Sequence, residues 1–457
     1  MIDTTTPAGQ LIHQMAKDLV DRRPGLDRLD SYYQGTNGIP IHAGRAMHNS
    51  YRRLLDMARL NLARLVVEAT RELMEPIGFR TGAVNDELGD SEAWRMWQAN
   101  SLDADHMVVD RATLSMARAM MMVGPVDPEI NAPLITPEDP REVIVRTDPA
   151  KRRKVTAGLK LYVDADAGLD RAVFFPAPGV MLKAFRKRTT ADVSTRVENV
   201  DMAAWEWDGR EQKLPVNAVP IVEFLNMPGI DGAPEGEFQP HIAALDRLTY
   251  VVLNRLEIMT LQAFRQRAIQ GLPRTDPSTG EEIDYSEDFL SGPGSLWDLP
   301  ENAKIWESGV VDLSPILQSE KQEIVTLAGA TSTPIQYLYP DDNGGSAEGA
   351  QLKREARTFK VRDRCRQQGE GYEQVMALAF AYAGDAQRAS RGDMEVIWAP
   401  IERYSLEQKA DAAAKFAAAG IGLETIARDV LQKTPQEIAR MRGELAAQAF
   451  LQPDAAE

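Results

Sequence analysis

The sequence predicts an α+β protein that is predominantly helical, and three observations carry that expectation. Apolar residues recur at three- and four-residue steps through the first quarter of the chain and again through its second half. Between these regions, residues 142–224 break into short β-branched and aromatic runs separated by Gly, Pro and charged turns. At 457 residues and 44% hydrophobic content, the chain is long enough for about two to four domain-sized units.

Leu11, Met15 and Leu19 mark a helix over residues 10–22 that Arg23-Pro24-Gly25 should stop. A second helix, 26–33, runs into the turn cluster Gln34-Gly35-Thr36-Asn37-Gly38. Residues 49–74 read as one long helix halted by Pro76 and Gly78, and residues 94–123 continue the helical pattern through Trp97, Leu102, Val109 and Leu114. A Pro-rich connection over 125–140 then leads to strands at 142–146, 159–163, 172–175, 180–185, 203–207 and 221–224.

Residues 238–270 return to helix, roughly 50 Å long at about 1.5 Å per residue. Ile242, Leu245, Val252, Leu256 and Met259 form its stripe, and Leu248, Leu253 and Leu261 widen that stripe around most of the circumference. Such a helix needs cover on more than one side. Residues 271–313 are short of periodicity, Gly/Pro-punctuated and acidic. Residues 314–329 read as a helix with Ser314 as N-cap and Pro315 at the first helical position, where its missing donor costs nothing. A break over 330–349, a long helix over 350–382, a strand at 394–398 and helices at 405–418, 423–431 and 435–450 complete the chain. No internal repeat is evident.

A net charge of −16 argues against a protein that grips nucleic acid through many Lys and Arg contacts to phosphate, but not against one that lets it slide past. Apolar stretches fall short of the roughly 18 to 20 residues that cross a bilayer, and the N-terminus lacks the pattern of a secretory signal, so synthesis in a cytoplasm is expected. The lone cysteine, Cys365, allows neither an intrachain disulfide nor a cysteine-based metal site and reads as a small buried side chain. The histidines, at 13, 42, 48, 106 and 241, show no zinc-binding spacing, and a Walker A loop is missing, so neither metal nor cofactor is expected.

Four local features invite chemistry. Gly344-Gly345-Ser346-Ala347-Glu348-Gly349 approaches the nucleophile elbow G-x-S-x-G, which makes Ser346 the one hydrolase candidate. Its last glycine is one position late, and Tyr339-Pro340-Asp341-Asp342-Asn343 before it is loop chemistry rather than a buried strand. Asp164-Ala165-Asp166-Ala167-Gly168 begins like a calcium loop, but Leu169 and Phe175 stand where the turn glycine and the bidentate carboxylate belong, so a polar β-turn is expected. Lys151-Arg152-Arg153-Lys154 reads as a solvated loop between two strands. Asp276, Glu281, Glu282, Asp284, Glu287 and Asp288 read as a solvated acidic surface, a partner's docking surface or a lining that repels DNA.

Several elements in order resemble the portal proteins of tailed double-stranded DNA bacteriophages. They are Leu29-x-x-Tyr32-Tyr33-x-Gly35, Trp97-x-x-Asn100-x-Leu102, Val219-Pro220-Ile221-Val222-Glu223-Phe224, and Thr333-Pro334-x-x-Tyr337-Leu338 followed by Asp342-Asn343-Gly344-Gly345-Ser346-Ala347-Glu348. Trp398-Ala399-Pro400, Ser405-Leu406-Glu407-Gln408-Lys409 and Ala419-Gly420 extend the likeness toward the C-terminus. The resemblance implies a portal fold with an α/β wing, helical stem, clip and helical crown, assembled into a ring of commonly twelve subunits. It implies a wing over 1–237, a first stem helix over 238–270, a clip over 271–313 and a second stem helix over 314–338. A tunnel loop over 339–348, a long helix and wing return over 349–398, and a crown and tail over 399–457 would follow.

The same resemblance implies a non-enzymatic subunit of the virion's portal vertex, a channel for DNA entry during packaging and exit during ejection. Its expected partners are copies of itself, passing double-stranded DNA, the terminase packaging motor, a head-completion adaptor, and the major capsid and scaffolding proteins. Tyr339, Asp341, Asp342, Asn343, Gly344, Gly345, Ser346 and Glu348 would face DNA, with Lys353 and Arg354 as a modest attractive ring. The acidic residues of 276–288 would dock the adaptor or motor. A Ser346 hydrolase and a capsid structural protein without a channel are the competing readings.

Overall fold

The computed structural model describes residues 1–38, 48–83, 89–189, 192–263, 267–273, 275, 278–280, 282–283, 285, 304–307, 309–339, 347–402 and 406–451. The chain divides into two compact units, one built from Met1–Asn37, Asn61–His241 and Gly329–Glu457, the other from Gly38–Leu60 and Ile242–Ala328.

Helix α1, Pro7–Gln34, begins with Thr6 Oγ1 accepting from the Gly9 amide at 3.2 Å and closes on Gly35 at φ 71°. It runs through Pro24, where the sequence predicts a stop. The reason is tertiary. Ile12, Met15, Leu19, Leu26 and Leu29 are buried along one stripe, and the Arg22 and Arg23 guanidiniums donate to the Pro140, Val143 and Arg141 carbonyls at 2.5 to 2.7 Å. Each side chain of that size contributes about 1.5–3 kcal/mol on burial, which together exceed the roughly 3 kcal/mol cost of one interior proline.

Helices α2, His48–Ala58, and α3, Leu62–Arg71, replace the single helix expected over 49–74. Asn61, left-handed at φ 48°, separates them, and they belong to different units. Pro76 and Gly78 do not merely end a helix, since they lie on strand β1, Pro76–Arg80. Asp90 caps α4, Ser91–Ala99, accepting from the Glu92 and Ala93 amides at 2.9 and 3.3 Å. Helix α5, Leu102–Met116, ends at Ala117, whose φ is 68°.

The helix expected to reach residue 123 therefore stops short, and β2, Arg118–Asp127, takes its place as the middle strand of a three-stranded sheet. Its Ala119, Met121 and Val123 enter one core and Met120 enters another. An apolar run buried on both faces carries neither period. The Pro-rich connection contains β3, Ala132–Glu138, an edge strand, which is where a sheet tolerates Pro133 and Pro137.

Strands β4, Val143–Asp148, β5, Lys151–Asp164, β6, Leu169–Phe175, β7, Val180–Lys187, and β8, Glu206–Trp207, form an antiparallel sheet in that order, with β9, Gln212–Lys213, on β7. β5 starts earlier than expected: Lys151, Arg152, Arg153 and Lys154 are exposed, as read, but they are strand rather than loop. The Asp164–Gly168 stretch is the polar turn expected, with the Ala167 amide donating to Asp164 Oδ1 at 3.1 Å and Gly168 at φ 63°. Strand β10, Ile221–Leu225, returns to pair with β2.

In the second unit, α6, Ile242–Ala263, is 22 residues and about 33 Å long, shorter than the sequence suggests. Four residues assigned to that helix form β11, Arg267–Gln270, which pairs with β12, Lys304–Glu307. Helix α7, Ser314–Ala330, runs antiparallel to α6, as Arg247 pairing with Glu323 at 3.0 Å and Gln262 donating to the Val311 carbonyl at 3.2 Å show. The cap position is Leu313, whose carbonyl accepts from the Leu317 amide at 3.0 Å; Asp312 before it accepts from the Ser314 amide at 2.9 Å, and Ser314 is the first helical residue.

Back in the first unit come α8, Ile335–Leu338, and the 37-residue α9, Ala347–Ala383, which packs across the three-stranded sheet. Strand β13, Glu395–Trp398, pairs with β1. The chain ends in α10, Leu406–Ala418, α11, Leu423–Thr425, a π-helical turn over Ile426–Val430, and α12, Pro435–Leu451.

Besides the cluster around Met120, Phe175 and Ile221, two larger cores lie in this unit among the described residues. In one, Trp97 meets Phe79 and Tyr372 at ring separations of 5.3 and 5.5 Å, and Phe224 meets Tyr372 at 4.9 Å. In the other, α1 packs Ile12, Met15 and Leu19 on Leu159, Leu161, Phe174 and Trp205 of the larger sheet region. Cys365 is buried as expected, and burial pushes its thiol pKa up. Among the described residues no helix is long and apolar enough to cross a membrane.

Candidate functional site

The segment singled out by sequence, residues 339–348, leaves α8 and enters α9. Asp341, Asp342, Asn343, Gly344, Gly345 and Ser346 lie outside the described residues. Tyr339 is half-buried directly after α8, its amide donating to the Ile335 carbonyl at 2.7 Å. Glu348, Lys353 and Arg354 fall in the first two turns of α9, and their side chains lie outside the described part. Of the acidic set in the other unit, Glu282 is exposed and bridged to Thr275, whereas Asp276, Glu281, Asp284, Glu287 and Asp288 lie outside the described residues.

What the structure defines are the two anchors of this segment. On the incoming side, Ser332 turns the chain at φ 51° and Thr331 Oγ1 donates to Thr333 Oγ1 at 2.9 Å, leading to Pro334 at the start of α8. Ile335 and Leu338 are buried, while the Tyr337 hydroxyl donates to Glu72 Oε2 at 3.2 Å and accepts from Arg357 Nη1 of α9 at 2.9 Å. The Arg357 guanidinium also sits 5.4 Å from the Tyr337 ring centre. One tyrosine thus joins α3, α8 and α9.

On the outgoing side, α9 carries Lys360 and Arg364 one turn apart, and both close on Glu237. Lys360 Nζ lies 2.8 Å from Glu237 Oε2 and also donates to the Thr331 carbonyl at 2.9 Å, so it ties α9 to the turn before α8. Asn226 Nδ2 donates to Glu237 Oε1 at 3.2 Å, and the Glu237 amide donates to the Leu114 carbonyl at 2.8 Å. Burial acts to raise the Glu237 pKa, but the opposing charges of Lys360 and Arg364 outweigh it and hold the carboxyl below its usual range. A buried carboxylate shared by two cations is costly to break from one side. The helices on either side of residues 340–346 are therefore tied to one scaffold, α8 at Tyr337 and α9 from Arg357 onward.

Tyr337 lies in the Thr333–Leu338 motif picked out above, whereas Glu237, Lys360 and Arg364 were not foreseen from the sequence. The only local signal is two cations at i and i+4, Lys360 and Arg364, flanking Val361 on a helix turning apolar. Their partner Glu237 is more than a hundred positions away, where no local pattern points to it.

A family model described as phage portal protein, SPP1 Gp6-like, matches residues 12–449, and the chain belongs to that family, which is structural and non-enzymatic. The chain is 25% identical over 426 residues to the portal protein of Mycobacterium phage D29 and 24% identical over 426 residues to that of Mycobacterium phage L5. Each match covers 90% of this chain and 82% of the relative. Among solved structures, a chain in the neck of an empty gene transfer agent particle aligns with a TM-score of 0.48 at 12% identity, covering 88% of this chain and 98% of that one. A chain from the virion of a native gene transfer agent particle aligns with a TM-score of 0.43 at 11% identity, covering 89% and 98%. The chain is thus a phage portal vertex subunit, and the hydrolase reading of Ser346 falls with that assignment.

Proposed function

We propose that copies of this chain form a ring whose central channel passes double-stranded DNA into the capsid during packaging and out of it during ejection. The family match over residues 12–449 carries this reading. In it, the 339–348 segment faces the channel, held at both ends by the Tyr337 and Glu237 anchors. Acidic residues Asp341, Asp342 and Glu348 with small polar neighbours repel phosphate weakly, so translocating DNA meets no deep binding minimum. Lys353 and Arg354 on α9 add a modest attractive ring. Residues 1–237 form the wing, 238–270 and 314–338 the stem, 271–313 the clip, 349–398 the long helix and wing return, and 399–457 the crown and tail. The acidic set from Asp276 to Asp288 docks the head-completion adaptor or the terminase motor, and the rim meets major capsid and scaffolding proteins.

Negative-stain images and native mass of the purified protein test the ring: a closed assembly with a central hole is expected, and a compact monomer overturns the reading. Reversal of Asp341 and Asp342 to Lys tests the loop. Altered DNA retention or packaging is expected, and packaging identical to the parent removes these residues from the channel.

A further inference from the structure

Two sequence features singled out above take no part in that function: the basic run of Lys151 to Lys154 and the acidic turn from Asp164 to Gly168. The structure places them at opposite ends of one strand, β5, 14 residues long and so on the order of 45 Å end to end. At the basic end, β6 pairs with β5 only from Gly158 onward, so Lys151 to Ala157 have no strand neighbour on that side among the described residues. The gap is a groove of about 710 Å³. Its floor is small and apolar, with Val219, Leu378 and Ala381, and its rim is Lys151, Arg152, Arg153, Lys154 and Arg391.

The charges on that rim are poorly compensated. Arg153 and Arg391 share one carboxylate, that of Glu370, at 2.5 and 2.9 Å, and Arg152 donates to the Ile230 carbonyl at 2.5 Å. Lys151 and Lys154 have no ion pair among the described residues. The turn at the other end of the strand is the converse. Ala165, Asp166, Ala167 and Gly168 are exposed, and among the described residues the one cation paired with Asp164 and Asp208 is Arg171, at 2.6 and 3.7 Å, while Asp166 has no ion pair there. Its small side chains suit an alanine-rich floor and its carboxylates suit a cationic rim.

We propose that the Lys151–Lys154 groove of one subunit receives the Asp164–Gly168 turn of a second copy. Donor and acceptor are different surfaces of the same chain, so the contact is heterologous and head-to-tail, the kind that closes into a ring when the rotation allows. The inference rests on the ring proposed above and names one of its subunit contacts. Because the groups are exposed, their attraction is screened over about 8 Å at physiological salt, and assembly weakens as NaCl rises.

The test is native mass and light scattering of the full chain against protein concentration. Lys151→Glu with Lys154→Glu, and separately Asp166→Lys, are each expected to raise the concentration at half-assembly about tenfold or more. The chain carrying all three changes is expected to return toward the parent, as is an equimolar mixture of the chain altered in the groove and the chain altered in the turn. Circular dichroism confirms that each variant is folded. A parent that forms rings while both variants assemble identically overturns this contact alone. Variants that weaken assembly without recovery in the combined chain overturn the pairing of these two ends. A parent that stays monomeric overturns the ring reading and this contact together.

Discussion

The Tyr372 hydroxyl donates to Asp110 Oδ1 at 2.8 Å in the middle of the Trp97 core, and neither residue reaches solvent. Among the described residues the second carboxylate oxygen of Asp110 has no hydrogen-bond partner, and the cations that act on it, Arg71 and Arg111, are both engaged by Glu68, at 2.9 and 2.8 Å. Burial pushes the Asp110 pKa up to about 7, against the stabilising bond from Tyr372.

A carboxyl with a pKa raised in the folded state favours the fold when protonated. Its contribution is fully present below the ordinary aspartate range and is lost as pH rises toward about 7. Over that window the loss is on the order of 4 kcal/mol. Asp110→Asn keeps the acceptor for Tyr372 and removes the titration. Thermal unfolding of the variant is expected to lose less stability between pH 5 and pH 8 than the parent, by about 2.5 kcal/mol, since only some two pKa units of the shift lie in that interval; parallel profiles would show that Asp110 does not titrate in this window.

The Glu237 cluster gives an asymmetric expectation. Glu237→Ala strands Lys360 and Arg364 in the interior and is expected to cost about 3–5 kcal/mol in urea unfolding. Replacing the trio by Leu, Met and Met is expected to recover most of that loss, because an apolar set of similar volume carries no desolvation cost. A triple variant as unstable as the single one contradicts this account.

Gly371 sits in the interior of α9 because the Phe224 ring occupies the place of a side chain there. Gly371→Ala gains about 1 kcal/mol of helix propensity but forces the ring aside at about 1–3 kcal/mol. A net fall in melting temperature is expected. The same change at Gly443 of α12, where a methyl group meets open space, is expected to stabilise.

Tyr337→Phe removes the hydroxyl shared by Glu72 and Arg357 and keeps the ring beneath the guanidinium. The expected loss is about 1 kcal/mol, read as roughly fivefold faster amide exchange over residues 335–339 with the rest of the molecule unchanged. Uniform acceleration across the chain would assign the tyrosine to global stability instead.

Much of this architecture is legible in the chain itself, and the failures have physical causes. The larger sheet alternates and is punctuated by turns, so Leu159 to Phe185 announces itself, as does the acidic turn within it. Pro24 misleads because its cost is local while the compensating burial of Leu26 and Leu29 is tertiary. Met120 to Val123 misleads because a strand covered on both faces has no period. Asn61 splits a helical pattern with a single left-handed residue that composition does not flag. The anchors at Glu237 and Tyr337 depend on contacts between distant segments, which only the folded chain brings together.

The pairing of β1 with β13 sets an order on synthesis. Pro76–Arg80 finds its strand partner only when Glu395–Trp398 has left the ribosome, after the whole of the Ile242–Ala328 stretch has been made. The first unit is thus begun early and closed late, with most of the second synthesised in between. Contacts this distant in sequence are slow to form. A chain broken off before residue 395 leaves β1 without its partner strand, so truncated products carry an unpaired edge where the full chain has a closed sheet.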